Sequence, residues 1–211
     1  MEYVTLNNGI KMPAVGFGVF QIKEKDECVR VVLDAIESGY RLIDTAQSYG
    51  NEEAVGEAIQ KTNVPREELF ITTKVWITNA GYEKAKASIE ESLKKLRTDY
   101  LDIFTLHHDN ESVEIAEILE TLQEQKKRGV IRASGCSNWK VERQREAYDY
   151  AKAHGLDGFM VDQINWSLNV FAPGSKGAAS STVMGPEAYR FHQETGIPAM
   201  AYGANGRGYL H

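Results

Sequence analysis

Short apolar runs alternate with longer amphipathic stretches along almost the whole chain, and this alternation limits the fold more than any other feature. The runs AVGFG, YRLID, LFITTK, YLDIFTL, IRASG, GFMVDQI and IPAMAY have the length and composition of strands. Between them, stretches at about residues 25–38, 51–61, 80–97, 112–128, 140–154 and 186–195 repeat apolar residues near helical spacing. A strand can return parallel to its predecessor only through a crossover, and a helix is the compact one, so strand–helix units in succession build a parallel sheet. Seven predicted strands and six predicted helices make the expected fold an α/β (β/α)8 TIM barrel that is incomplete, with about seven of its eight strands. Residues 3–12 are expected to cap it as a hairpin, because YVTL and IKMP flank Asn7, Asn8 and Gly9, which readily take positive backbone dihedrals.

With 211 residues, of which 42% are hydrophobic, the chain can bury one sizeable core, and residues 1–211 are expected to form a single barrel domain. The balance of 24 Lys and Arg against 30 Asp and Glu lacks the basic field that nucleic acid or an anionic membrane surface attracts. A small molecule is therefore the expected partner, with no nucleic acid and no membrane. No apolar run nears the roughly 18 residues of a membrane span, and the first residues lack the order of a secretory signal, so a cytoplasmic protein is expected. Cys28 and Cys136 lack metal-type spacing and read as reduced core thiols. Residues 171–185, FAPGSKGAASSTVMG, have neither period and read as a long surface connection; a substrate lid is the alternative, since the segment would follow the sixth barrel strand.

The chemistry concentrates in residues 39–56, GYRLIDTAQSYGNEEAVG, where a strand end meets a helix start through a polar turn. Asp44 ends the strand, and a carboxylate there needs a cation, which Lys74 at the end of LFITTK can supply. Tyr49 lies in the turn. A phenol titrates near 10, about three pH units above neutrality, so it is a weak acid unless a cation such as Lys74 stabilises the phenolate. His107 ends YLDIFTL, where its ring can orient a carbonyl or share the phenol's proton. The neighbours His107 and His108 invite a metal reading, but adjacent residues of a strand face opposite ways, so no metal is expected. His154 and His192 fall in predicted helices and read as surface groups.

GYRLIDTAQSYGNEEAVG, with ITTKVW and DYLDIFTLHH following in order, resembles the signature segments of the aldo-keto reductases, and the resemblance covers nearly the whole chain. It implies an NADPH-dependent carbonyl reductase with Tyr49 as general acid, Asp44 and Lys74 as the pair that lowers its pKa, and His107 orienting the substrate carbonyl. Gly135, Ser137, Asn138 and Gln163 end their strands with short side chains that suit a carboxamide, and the resemblance implies that Ser137, Asn138, Gln163 and Tyr202 hold the nicotinamide. The turn GANGRG offers backbone N–H groups at Gly203 and the Arg207 guanidinium to the pyrophosphate. Phe20, Trp76 and Trp139 are expected to wall the substrate pocket, together with His108, where many relatives carry Trp. Up to about His107 the sequence is similar to diketogluconate-type reductases, whereas GCSNWKVERQREAYDYAKAHGL and QINWSL are similar to another branch, leaving divergence and a fusion of two parents both open.

The resemblance further implies a last strand and helix that grip the adenosine 2′-phosphate. Nothing after Arg207 supplies them, so the expected barrel is short at its C-terminal end, its edges are open to self-association, and turnover by this chain alone stays in question. Two other readings stand beside the reductase: a Schiff-base aldolase or lyase with Lys74 as nucleophile, and a non-catalytic NADP-binding remnant.

Overall fold

The computed structural model describes residues 1–79, 81–169, 171 and 181–206. Strands β1 (Tyr3–Thr5) and β2 (Lys11–Pro13) form the expected antiparallel hairpin, with Tyr3 opposite Pro13. Strands β3 (Gly16–Gly18), β4 (Leu42–Asp44), β5 (Phe70–Val75), β6 (Leu101–Leu106), β7 (Ile131–Ser137), β8 (Val161–Asn165) and β9 (Ala199–Tyr202) then form one parallel sheet in chain order. Helices α1 (Lys25–Glu37), α2 (Glu52–Lys61), α3 (Tyr82–Leu96), α4 (Ile115–Lys127), α5 (Val141–His154) and α6 (Pro186–Thr195) cover it. The seven described strands curl into the incomplete (β/α)8 barrel that the alternation predicts. The curl is tight enough that Gln163 on β8 reaches Asp44 on β4 at 2.9 Å.

The two-residue pleat divides the strand residues between two environments. Facing inward, Leu42, Phe70, Ile103, Ala133 and Val161 form an apolar floor, which Leu6 and Met12 of the hairpin and Met160 close from below. One pleat higher the interior turns polar, with Asp44, Thr72, Lys74, Thr105 and Gln163, so the barrel is oily at its base and hydrogen-bonding at its mouth. Facing outward, Ile43, Ile71, Phe104, Leu106 and Cys136 meet the apolar stripes of the helices, including Val32, Val55, Ile89, Ile118 and Ala147. At about 1.5–3 kcal/mol for each fully buried aliphatic or aromatic side chain, this larger outer layer supplies most of the apolar stabilisation. Cys28 and Cys136 are both buried free thiols.

The observed elements differ from expectation mainly at their ends. Strand β7 runs on from Gly135 to Ser137 and β8 reaches Asn165, which lifts their last residues to the rim. Of the segment 171–185, residues 172–180 lie outside the described ones. Its last part returns to the barrel, where Val183 bridges to Asn165 and the Thr182 N–H donates to Asn138 Oδ1 at 3.3 Å. His154 is exposed, as expected, and its ring stacks on Tyr150. His192 is not a surface group: it lies on the buried side of α6, with Nε2 3.3 Å from the buried Asp162 carboxylate and Nδ1 2.8 Å from the Ile197 carbonyl oxygen. Among the described residues no helix is long and apolar enough to cross a membrane.

Helix α2 approaches the end of α3 closely, and Gly56 makes that approach possible. A Cβ on Gly56 would stand 2.2 Å from the Lys95 carbonyl oxygen and 2.8 Å from Leu96 Cα, both backbone atoms that cannot swing aside. Gly56→Ala should therefore lower the free energy of unfolding by about 1–3 kcal/mol, measured by urea denaturation. An unchanged midpoint would show that the two helices separate at no cost.

Candidate active site

Three consecutive strand ends and one turn converge at the polar mouth. Lys74 points inward from β5 and is 1% exposed, so its ammonium depends on the partners that the fold supplies. It donates to Asp44 Oδ2 at 2.7 Å, to the Thr45 carbonyl oxygen at 2.8 Å and to the Tyr49 hydroxyl oxygen at 3.2 Å. Asp44 is held as firmly, for its Oδ1 accepts from the Thr72 hydroxyl at 2.7 Å and from Gln163 Nε2 at 2.9 Å. Tyr49 is placed by a short 3-10 turn over Gln47–Tyr49, which ends on Gly50 at φ 72°, a backbone conformation that suits glycine.

Burial alone would lower the Lys74 pKa, but Asp44 and Tyr49 outweigh it, and the ammonium is held more strongly than usual. The phenol corrects an expectation. Burial pushes the Tyr49 pKa up, Lys74 pulls it down and Asp44 pushes it up again, leaving it raised rather than lowered. The cation does act on the phenol, but burial, the largest influence, together with Asp44 outweighs it. Tyr49 is thus a phenol that keeps its proton until a strong base comes within reach.

His107 stands opposite. Its ring lies edge-on to Tyr49 at 5.7 Å and to Trp76 at 5.6 Å, and Ser48 Oγ is 3.4 Å from Nδ1. Burial first, then the charge of Lys74, lower its pKa to about 3, so the imidazole is neutral at physiological pH. His107 and His108 do not face opposite ways as strand neighbours would: β6 ends at Leu106, and the two rings stack side by side at 5.1 Å. No cluster of three or more His, Cys, Asp or Glu side chains suited to a metal occurs among the described residues.

Around these groups Phe20 lies 5.0 Å from the Tyr49 ring, and Trp76 lies edge-on to His108 at 5.5 Å. Phe20 and Trp76 are exposed, so the wall is apolar and open to a small molecule. Trp139 is not part of it. Asn138 has φ 58°, which turns the chain inward, and Trp139 is fully buried against Phe159 at 5.0 Å.

The sequence profile of the Aldo/keto reductase family matches residues 14–211. The chain belongs to that family. Methylglyoxal reductase DkgB of Salmonella typhimurium is 44% identical over 158 residues, which are 74% of this chain and 58% of that protein. An aldo-keto reductase from a Medee basin deep-sea metagenome library, MGS-M4, superimposes with a TM-score of 0.82 at 32% identity, over 98% of this chain and 69% of that one. The aldo/keto reductase of Klebsiella pneumoniae, solved in complex with NADP and acetate, gives a TM-score of 0.76 at 26% identity, over 95% of this chain and 67% of that one. The chain spans about half the length of the curated relatives it matches.

Within this member of the aldo/keto reductases, the residues expected at the nicotinamide occupy adjoining strand ends. Ser137 Oγ donates to the Gln163 carbonyl oxygen at 2.7 Å, and Asn138 Nδ2 donates to Ser137 Oγ at 3.0 Å and to the His107 carbonyl oxygen at 3.2 Å. The Tyr202 hydroxyl donates to Asn138 Oδ1 at 2.7 Å. Neutral amides and hydroxyls of this kind fit a carboxamide, although Asn138 accepts a ligand only by exchanging its bond from Tyr202 or Thr182. Gly135 lies deeper, where a Cβ would strike Val161 Cγ1 at 2.7 Å, so it serves strand packing rather than contact at the mouth. Gly203 takes φ 66° in the turn after β9, and a Cβ there would stand 2.8 Å from Asn165 Nδ2; Arg207 lies outside the described residues.

Thr72, Thr45 and Ser48 were not singled out by sequence reasoning. For Thr72 a signal exists, since it precedes Lys74 by two residues and must share its face of β5. The lowered His107 pKa also fixes a pH response. The unfolded chain binds a proton at this residue below about 6.5, whereas the folded chain does so only near 3. The contribution of His107 to stability is therefore complete above the first value and lost as pH falls towards the second. Nitrogen-15 spectra should show a neutral His107 ring throughout pH 5 to 8. An inflection near pH 6.5 would contradict the burial that governs it.

Proposed function

We propose that the protein reduces a small aldehyde or ketone with an NADPH-type cofactor, Tyr49 being the general acid. The observation that carries this reading is the Lys74 ammonium, 3.2 Å from the Tyr49 hydroxyl and 2.7 Å from Asp44, beside a neutral His107 at an apolar mouth. The name of the Salmonella relative points to a small 2-oxoaldehyde as the substrate class, and the Klebsiella neighbour bound to NADP points to the cofactor type.

A bound reduced nicotinamide supplies the hydride for such a reaction, and Ser137, Asn138, Gln163 and Tyr202 are the residues that would hold its ring. The remaining steps belong to the protein. His107, neutral and with a polar ring edge, directs the carbonyl oxygen towards the Tyr49 hydroxyl. As the carbonyl carbon is reduced, its oxygen becomes an alkoxide, a far stronger base than a phenolate, and it takes the Tyr49 proton even though the phenol is a weaker acid than usual. The phenolate left behind stands beside the Lys74 ammonium, which stabilises it until a proton returns from solvent. Phe20 and Trp76 offer an apolar wall against which the rest of the substrate can lie, with His108 beside them.

The Schiff-base alternative is disfavoured by the same geometry. A nucleophilic lysine needs a neutral amine, usually obtained by lowering its pKa, whereas Asp44 and Tyr49 hold Lys74 as an ammonium.

Tyr49→Phe removes the proton and keeps the ring, so NADPH oxidation with methylglyoxal should fall by about 100-fold or more while quenching of protein fluorescence by NADPH persists. Retained turnover in the variant would overturn the assignment of Tyr49. Binding of NADPH by the unsubstituted chain with no oxidation would instead support a cofactor-binding protein without turnover.

A further inference from the structure

We propose that Asn51 is a positioning residue that ties the loop bearing Phe20 to the Tyr49 turn and so sets the width of the mouth. Asn51 occupies the N-cap position of α2, where an asparagine normally accepts a hydrogen bond from the first turn of its own helix. It makes no such bond. Its side chain is 3% exposed and turns back into the barrel end, with every polar atom engaged. Oδ1 accepts from the Thr45 hydroxyl at 2.7 Å, and Nδ2 donates to the Val19 carbonyl oxygen at 2.9 Å and to the Ile22 carbonyl oxygen at 3.0 Å.

These partners lie in two segments, residues 19–22 and Thr45, which the side chain ties to its own turn after Tyr49. Val19 and Ile22 bracket Phe20, whose ring is 5.0 Å from Tyr49. Thr45 gives its carbonyl oxygen to Lys74 at 2.8 Å. Asn51 itself follows Tyr49 by two residues. The first turn still carries the acidic Glu53, which favours the exposed N–H groups of the helix start, while Glu52 is buried and accepts from the Thr73 hydroxyl at 2.7 Å. An amide that forgoes its own helix in order to hold two carbonyls and a hydroxyl is placed to fix the loop.

The kinetic part of the inference rests on the carbonyl-reductase reading; the structural part does not. Asn51→Asp keeps the acceptor for Thr45 but sets a carboxylate against two carbonyl oxygens, and Asn51→Ser is too short to reach them. Both replacements remain good N-caps. In either variant the Ile22 amide, which donates to the Val19 carbonyl oxygen at 3.1 Å, should exchange with solvent about tenfold faster. The nuclear Overhauser contact between the Phe20 and Tyr49 rings should weaken in parallel. KM for methylglyoxal should rise by about tenfold, with a smaller change in kcat.

Unchanged exchange at residues 19–22 and an unchanged ring contact in a folded variant would overturn the proposal. In the unsubstituted chain both Asn51 side-chain amide protons should exchange slowly, and fast exchange there would overturn it without any substitution. Absence of NADPH oxidation by the unsubstituted chain counts against the reductase reading alone, leaving the exchange and ring-contact measurements to decide the role of Asn51.

Discussion

A single ammonium group sealed inside the barrel end governs the arrangement of this site. Removing a charge of this size from water costs several kcal/mol even after the protein relaxes around it, so Lys74 is tolerable only because Asp44, the Thr45 carbonyl and the Tyr49 hydroxyl meet it. Those partners need placement of their own. Thr72 and Gln163 fix the second carboxylate oxygen of Asp44, and Asn51 fixes Thr45. Each shell of hydrogen bonds is thus a condition for the one inside it. The oily floor of Leu42, Phe70 and Ile103 keeps the assembly in a medium where these bonds are strong.

The same burial explains the acid–base character of the mouth. Lys74 stays charged, His107 stays neutral and Tyr49 holds its proton, three outcomes that follow from low polarity combined with one balanced ion pair. A cation next to a phenol does not by itself make a strong acid when the phenol is buried and a carboxylate shares the cation. The neighbourhood instead keeps a proton in reserve beside a site that stabilises the anion left when the proton departs.

Much of this was legible in the sequence. The alternation of runs gave the order of strands and helices, and Asp44, Tyr49, Lys74 and His107 could be placed at one mouth because each lies at or just after a strand end. What escaped depends on contacts between distant residues or on a single backbone angle. Trp139 is an aromatic residue near a rim, yet the positive φ of Asn138 sends it into the core. His192 sits on the inner stripe of α6, and the Asp162 carboxylate that receives it belongs to β8, thirty residues earlier in the chain. The pairing of the His107 and His108 rings turned on whether β6 stops at Leu106 or continues, a difference of one residue. The direction of the Tyr49 shift required the relative weights of burial and two opposite charges, which no motif encodes.

The contact between Gln163 and Asp44 joins residues 119 positions apart, and it gives the site a place in the order of assembly. Asp44, Tyr49 and Lys74 all precede β8 in the chain, and without β8 docked Asp44 Oδ1 has the Thr72 hydroxyl but not the Gln163 amide. Contacts across such a separation form late, because the intervening chain must be ordered before they stabilise anything. Docking of β8 is therefore the event that completes the charge arrangement, and the finished mouth is a marker that the strands have closed round as far as the sixth of the sheet.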